Sequence, residues 1–186
     1  MLSLRFVSPS EVLLVEDEVS SISDFICAVD FANLAFISDS TADVPIFCGV
    51  GGGITQGKRV INLALDAEFK GAMGVVLNSP TKDDIIKKVR STIDIPVVVT
   101  VVSEKDDIEK RIEAGATIIN VSGGADTPKI VKKIREEFPE FPIIATGGPN
   151  DDTIKETIEA GANAITYTPP TSGKAMSELM DKYRNL

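Results

Sequence analysis

The chain repeats a pattern of about 45 residues, and this repeat restricts its possible folds more than any other feature of the sequence. Each copy consists of a charged helix-like stretch, an apolar run that begins with proline, a second helix-like stretch that ends in Gly-Ala, and another apolar run. Lys88 corresponds to Lys133, Pro96 to Pro142 and Gly115 to Gly161, and a weaker copy precedes these two. A unit with two strand–helix pairs is one quarter of an eightfold strand–helix barrel.

Apolar runs bounded by turn residues predict eight strands. The later runs are almost continuously apolar, which is typical of parallel strands that are buried on both faces. Most of the stretches between them begin with Ser, Thr, Asp or Asn or end at a glycine, as helices do, and the first predicted helix covers 18–29. The predicted strands are 12–15, 34–38, 45–50, 73–78, 96–102, 117–121, 142–146 and 164–168.

One connection departs from this alternation, because the six residues 39–44 are too few for a helix. They predict a direct join between strands 2 and 3. We therefore expect an α/β fold, a small (β/α)8 TIM barrel with the helix between strands 2 and 3 missing, built as a single domain over residues 1–186. Residues 2–7 supply either an extra strand or a plug at the bottom of the barrel.

The composition excludes several kinds of partner. A net charge of -9 and a pI near 4.6 argue against nucleic acid and anionic membranes, which require a basic surface. No apolar run approaches the roughly 18 residues that a membrane-spanning helix needs. The two cysteines, Cys27 and Cys48, both lie in apolar runs, so a disulfide framework is not expected. These features predict a cytoplasmic protein that binds neither nucleic acid nor membrane.

The absence of histidine limits the chemistry of any active site. It removes His-dependent triads and imidazole metal ligands, so acid–base catalysis would fall to Asp, Glu, Lys, Tyr or Cys. We expect no metal site and no bound cofactor, with FMN or Mg²⁺ as the alternatives.

Glycine-rich turns follow the predicted strands where a barrel of this kind has its reactive rim. Gly147 and Gly148 leave the seventh strand ahead of a helix, and such a pair offers backbone N–H groups to a phosphate. The alternative is that Gly-Gly only makes a tight turn. Further donors are expected after the sixth and eighth strands, from Gly123, Gly124, Thr168, Ser172 and Lys174.

Carboxylates and amides supply the candidate catalytic residues. Glu16 and Asp39 follow the first and second predicted strands, and Asn78 follows the fourth. Carboxylates there could act as a general base or hold Mg²⁺, although acids are also favourable where a helix begins. Asn78 and Asn120 are expected either to contact a ligand or to be structural asparagines whose hydrogen bonds are satisfied within the protein.

Residues 95–170 resemble a known superfamily. The segments PVVVTVVSEKDDIEKRIEAGATIINVSGG and FPIIATGGPNDDTIKETIEAGANAITYT are similar to the later strands of phosphate-binding TIM barrels of the ribulose-phosphate-binding type. This class includes thiamine-phosphate synthases and keto-deoxy-phosphogluconate aldolases, and the same stretch also resembles the flavin-dependent nitronate monooxygenases. The resemblance implies a TIM barrel in which Gly147 and Gly148 hold the phosphate of a substrate or flavin. The strand lysine of the aldolases and the histidine base of the monooxygenases have no counterpart here.

Three functions are compatible with these features. The first expectation is an enzyme that acts on a phosphorylated metabolite as an isomerase, epimerase, lyase or hydrolase, with carboxylate acid–base chemistry. The alternative is a non-catalytic regulatory or ligand-sensing barrel, and the third is an FMN-dependent oxidoreductase. We also expect a homodimer, because a barrel that lacks one helix leaves apolar strand surface uncovered.

Overall fold

A computed structural model gives the positions of residues 2–7, 12–17, 27–30, 46–52, 55–146 and 151–167, the first three ranges as backbone alone. These residues contain nine strands and five α-helices. The strands are β1 (Leu2–Val7), β2 (Val12–Asp17), β3 (Cys27–Asp30), β4 (Ile46–Gly51), β5 (Gly74–Leu77), β6 (Val97–Val101), β7 (Ile118–Val121), β8 (Ile143–Thr146) and β9 (Ala164–Tyr167). The helices are α1 (Lys58–Phe69), α2 (Asp83–Thr92), α3 (Ile108–Glu113), α4 (Thr127–Glu137) and α5 (Asp151–Glu159).

Strands and helices alternate regularly from β4 to β9. Each of these six strands is parallel to the next, and one helix separates each consecutive pair, so together they form a curled half-barrel. This part of the chain confirms the predicted α/β fold and its parallel strands. Among the described helices, none is long and apolar enough to cross a membrane.

The first three strands join the two edges of this half-barrel by backbone hydrogen bonds. β1 pairs with β9 in parallel, β3 pairs with β4 in parallel, and β2 lies between β1 and β3, antiparallel to both. The prediction of eight parallel strands with a helix after nearly every one is therefore not met in the described part of the chain. Only four residues separate β1 from β2, too few for the crossover that parallel neighbours need.

Two further predictions change in this region. Residues 2–7 form an extra strand rather than a plug. The predicted helix over 18–29 is wrong at its end, because Cys27–Asp30 is β3 and pairs with Ile46–Gly49 of β4. Tertiary pairing of an apolar segment overrides its weak helical pattern there. The predicted second strand at 34–38 and the direct join at 39–44 lie outside the described residues.

The hydrophobic core fills the space between the half-barrel and its helices. Leu77, Ile119 and Ile143 on the strands are fully buried against helix residues such as Ile86 and Ile130. Burial of each such side chain contributes about 1.5–3 kcal/mol. Because strand side chains alternate between faces, every second residue of β5–β9 belongs to this core and the residues between them face inward.

The sequence repeat reappears as a repeated joint at the amino ends of the strands. Thr117 Oγ1 accepts a hydrogen bond from Val97 N at 2.8 Å, and Asn163 Oδ1 accepts one from Ile143 N at 2.9 Å. Thr117 and Asn163 occupy equivalent positions of the two copies, two residues after the glycine that ends each helix. The repeat is therefore confirmed as a structural unit, with its base built the same way twice.

Candidate functional site

The inner face of the half-barrel is partly accessible: Val98 and Thr166 on it are buried, but other positions of the same face are not. Val76, Ile118 and Ile144 lie on the inner side and are each partly exposed, although each is next to a fully buried residue on the helix side of the sheet, such as Ile119 beside Ile118. Branched apolar side chains are rarely left in this state inside a filled core. The inner face therefore offers a concave apolar floor that a small molecule could contact.

A line of neutral polar side chains crosses this face near the carboxyl ends of β5, β6 and β7. Asn120 Nδ2 donates to Thr100 Oγ1 at 3.0 Å, and Thr100 Oγ1 donates to Asn78 Oδ1 at 3.3 Å. The parallel register produces this alignment, because Thr100 is the direct partner of Asn120 on the neighbouring strand. We call these three residues the polar line.

One atom of the polar line lacks a partner. Asn120 Oδ1 is buried and accepts no hydrogen bond from any residue that the structure describes. The equivalent residue of the second repeat copy, Thr166, is satisfied: its Oγ1 lies 3.1 Å from Thr146 Oγ1 and 3.4 Å from Ala145 O. A buried polar atom without a partner is uncommon in native proteins and requires an explanation.

Asn78, a predicted catalytic residue, is held in place by its backbone and remains exposed. Its N–H donates to Gly51 O at 2.8 Å, and its carbonyl accepts from Thr81 Oγ1 at 2.6 Å. Gly52 lies against it with φ 103, and a Cβ on Gly52 would come 2.0 Å from Asn78 O. Close packing against Asn78 therefore explains this glycine of the loop after β4.

The predicted anion donors after β7 are only partly free to bind. Gly123 N–H donates to Thr127 Oγ1 at 3.0 Å, and a Cβ on Gly123 would lie 2.4 Å from Ile130 Cδ1. The prediction that Gly123 offers an unpaired N–H group is therefore wrong, because the first turn of α4 already occupies that group. Gly124 has φ +62 and open space around its Cβ position, so it stays a candidate.

Glu16, the other predicted catalytic residue with a described backbone, does not follow a parallel strand. It lies near the end of β2, which is antiparallel, and is the direct partner of Ser3 near the amino end of β1. The prediction that Glu16 lines the same rim as the other strand ends is therefore wrong. Asp39, Gly147, Gly148, Thr168, Ser172 and Lys174 lie outside the described residues.

A charged cluster that the sequence analysis missed stabilises the loops beside the polar line. Arg111 of α3 contacts Asp83 at 2.5 Å and donates to Thr81 O at 2.7 Å. Asp106 accepts hydrogen bonds from the backbone N–H groups of Val102 and Ser103, both at 3.0 Å. These partners of Arg111 come from the neighbouring repeat unit, about 30 residues away in sequence. Arg111 also lies 3.9 Å from Asp106, so its guanidinium group connects the loops after β5 and β6.

Charges with shifted pKa values lie on the outer surface. A hydrogen bond with Lys110 lowers the pKa of Asp107, and the Glu104 carboxylate raises the pKa of Lys129. Both contacts are 2.6 Å ion pairs between exposed side chains. Neither touches the inner face. Within the described residues, no group of three or more Asp, Glu or Cys side chains is arranged to hold a metal ion.

Comparison with known proteins relates the chain to enzymes of one architecture. No protein-family model and no curated protein matches the sequence. The solved structure titled "QR15, an Aldolase" matches with a TM-score of 0.64 and 23% identity, over 86% of this chain and 83% of that one. 2,3-Dimethylmalate lyase, of the PEP mutase/isocitrate lyase superfamily, matches with a TM-score of 0.60 and 17% identity, over 83% of this chain and 65% of that one.

Mandelate oxidase matches with a TM-score of 0.66 and 15% identity, over 78% of this chain and 56% of that one. The chain thus spans most of the aldolase but only about two thirds or less of the other two. At these identities the likeness is one of fold. The neighbours are TIM-barrel enzymes, and the described half-barrel is laid out like theirs.

Proposed function

We propose that the protein is a small-molecule, lyase-like enzyme that acts on a phosphorylated metabolite. The observation that carries this proposal is the polar line on a partly accessible inner face, at the carboxyl ends of adjacent parallel strands. Sites of α/β barrels lie at that end of the strands. The names of two structural neighbours, an aldolase and a lyase, support the reaction class.

Each remaining part of the proposed site has one assigned role. Gly147 and Gly148 would hold the phosphate through their backbone N–H groups, assisted by Gly124, Thr168, Ser172 and Lys174. Asp39 would serve as the acid–base residue and Asn78 would orient the reacting end of the substrate. Glu16 and Gly123 are left out, because one lies beside the amino end of β1 and the other already has its N–H group bonded.

Turnover tests the enzyme assignment directly. The protein would be incubated with phosphorylated hydroxy acids, keto acids and sugar phosphates, and products followed by NMR. We expect cleavage of at least one compound, and Asp39→Asn to lower its kcat about 10²–10⁴-fold, the usual contribution of a general acid or base. Cleavage that survives in Asp39→Asn would remove Asp39 from the mechanism, and a panel without any turnover would contradict the lyase assignment.

Calorimetric titration with inorganic phosphate and with a sugar phosphate tests the phosphate site. Gly148→Val should abolish binding of both, since a Cβ and its methyl groups would stand between the N–H groups and the anion. Ser91→Val is the control: it places a valine on the exposed surface of α2 and should leave binding of both compounds unchanged. Equal affinities in the two variants would exclude this phosphate site.

A ligand-sensing barrel without catalysis is the second candidate, and one observation favours it. The inner-face side chains described on β5–β9 are apolar, hydroxyl or amide groups, so none of these can transfer a proton at neutral pH. Binding without turnover would establish this function. A yellow colour in the purified protein would instead support an FMN-dependent oxidoreductase.

The homodimer is proposed separately from the reaction. It follows from the expected gap in the helix layer and is independent of the inner face. Sedimentation velocity would give a dimer mass if the proposal holds, and a monomer mass if another part of the same chain covers the strands.

A further inference from the structure

We infer that Asn120 Oδ1 is the anchor for a hydroxyl group, so that the inner face binds the hydroxylated, uncharged end of a small molecule. This deepens the proposed function by specifying the substrate end that meets the polar line. The inference rests on the proposed function only in taking the polar line as part of the substrate-binding site. A hydroxyl-binding site on Asn120 would stand even if no phosphate is bound.

The polar line shows which partner is missing. Asn120 uses its Nδ2 to donate to Thr100, and Thr100 uses its single proton on Asn78. Neither Asn78 nor Thr100 then has a donor directed at Asn120 Oδ1, which is left buried without a partner among the described residues. The atom is an acceptor, so the group that completes the line must bring a proton.

The fold itself does not require this unpaired atom. At the equivalent position of the second copy, Thr166 is satisfied by Thr146 and Ala145. An apolar residue at position 120 would continue the floor made by Ile118 and Ile144 without leaving a buried acceptor. Leaving such an acceptor unsatisfied lowers stability, which is the expected pattern for a residue whose partner is a ligand.

The chemistry around the atom selects the ligand class. A carboxylate or phosphate oxygen has no proton to donate and would repel the amide oxygen at contact distance. The described side chains of the inner face supply no cation to offset such a charge. A hydroxyl donates to Oδ1 and can also accept, so it would satisfy the amide in either of its two orientations. The partly exposed Val76, Ile118 and Ile144 give the carbon skeleton an apolar surface.

The first measurement compares the stability of the ligand-free protein with and without the amide. Asn120→Leu removes the Nδ2 donor to Thr100 but also the unsatisfied acceptor, and it extends an apolar floor, so the midpoint of urea unfolding should fall less than in a variant that only loses a satisfied hydrogen bond. Thr157→Val is the matched control: Thr157 is buried in α5 and its Oγ1 donates to Thr153 O at 2.7 Å. Removing that satisfied hydroxyl should lower the midpoint.

The second measurement is binding of neutral hydroxylated probes. Glycerol, erythritol and ribose would be titrated into the isotope-labelled protein, and the side-chain amide signals of Asn120 followed by NMR. We expect at least one probe to shift these signals and to bind Asn120→Leu about fivefold to tenfold more weakly, as loss of one neutral hydrogen bond predicts. Thr157→Val should retain the affinity of the wild-type protein.

Three results would each overturn the inference: a fall in the unfolding midpoint for Asn120→Leu at least as large as that for Thr157→Val, unchanged probe affinity in Asn120→Leu, or no probe that shifts the Asn120 signals. The first would identify Asn120 as a structural residue whose partner is ordered water. Glycerol phosphate and ribose phosphate, titrated in parallel, separate this site from the phosphate site. In Gly148→Val, the two phosphates should lose their extra affinity over glycerol and ribose. The response of Asn120 to the neutral probes should stay intact in that variant.

Discussion

The two faces of the half-barrel have opposite properties although the same strands build both. The face toward the helices is apolar, filled and fully buried at Leu77, Ile119 and Ile143. The inner face carries the polar line and leaves Ile118 and Ile144 partly exposed. Because side chains alternate along a strand, one four-residue strand can contribute to both faces. Stability is thus concentrated on one face and binding capacity on the other.

Truncation of an isoleucine on each face is the strongest test of this difference. Ile119→Ala should lower the free energy of unfolding by about 2–5 kcal/mol, because it opens a cavity in a filled core. Ile118→Ala removes the same atoms from a partly exposed site and should cost about half as much or less. Urea denaturation of both variants measures the two values. Equal losses would mean that the inner face is packed as tightly as the outer one.

Enlargement of a side chain probes the same contrast from the opposite direction. Ala145→Leu adds atoms to a fully buried position on the helix side and should destabilise by about 1–3 kcal/mol through overpacking. Val76→Leu adds one methylene on the inner face, where there is room, and should cost less than about 1 kcal/mol. The comparison fails if Val76→Leu is the more damaging of the two in thermal unfolding.

A satisfied polar residue of the inner face gives a smaller effect. Thr166→Val keeps the shape of the side chain but removes the hydroxyl that contacts Thr146 and Ala145. We expect a loss of about 1 kcal/mol, the usual net value of one hydrogen bond. The same assay on Asn120→Leu should show a smaller loss, because removal of the unsatisfied acceptor offsets the lost donor to Thr100. A gain in stability for Thr166→Val would remove the distinction between the satisfied and unsatisfied positions.

The smallest expected effect is that of removing one charged side chain. Among the described residues, the charged side chains lie on the outer surface. The hydrogen bond with Lys110 lowers the pKa of Asp107 in the folded state below its ordinary value. The resulting contribution to stability is present above that ordinary value and is lost as the pH falls through the lowered one. Asp107→Asn should therefore flatten the fall of stability in acid slightly, as measured by urea unfolding across the acid range. A steeper fall of stability in acid for Asp107→Asn would contradict a stabilising hydrogen bond between Asp107 and Lys110.

The structure was predicted correctly from the sequence where the repeat, the spacing of apolar residues and the helix-capping residues all agree. The parallel strands and helices after residue 45 follow from local pattern, and Asn120 was singled out as an asparagine within a strand. The antiparallel β2 was not predicted, because strand direction depends on a connection length that becomes visible only when residues 2–7 are assigned as a strand. The short β3 was missed for a related reason, since its partner β4 decides its structure.

Site residues were harder to predict than strands because hydrogen bonds form between units that are distant in sequence. A glycine pair after a strand suggests free N–H groups, yet Thr127 bonds to Gly123 from the following helix. Arg111 resembles any surface arginine until α2 brings Asp83 beside it. Asn120 became the stronger candidate through the absence of a partner for one atom, a property that residue spacing does not reveal.

The pairing of β1 with β9 has a consequence for the order of folding. Contacts within β4–β9 join segments that follow one another in the chain, whereas Leu2 must find Ala164 across nearly all the described sequence. Loop-closure entropy makes such a distant pairing late and slow relative to local ones. We therefore expect the half-barrel to assemble first and the pairing of β1 with β9 to form later. In native-state hydrogen exchange, amides of β1 would be released at lower free energy than those of β6 and β7.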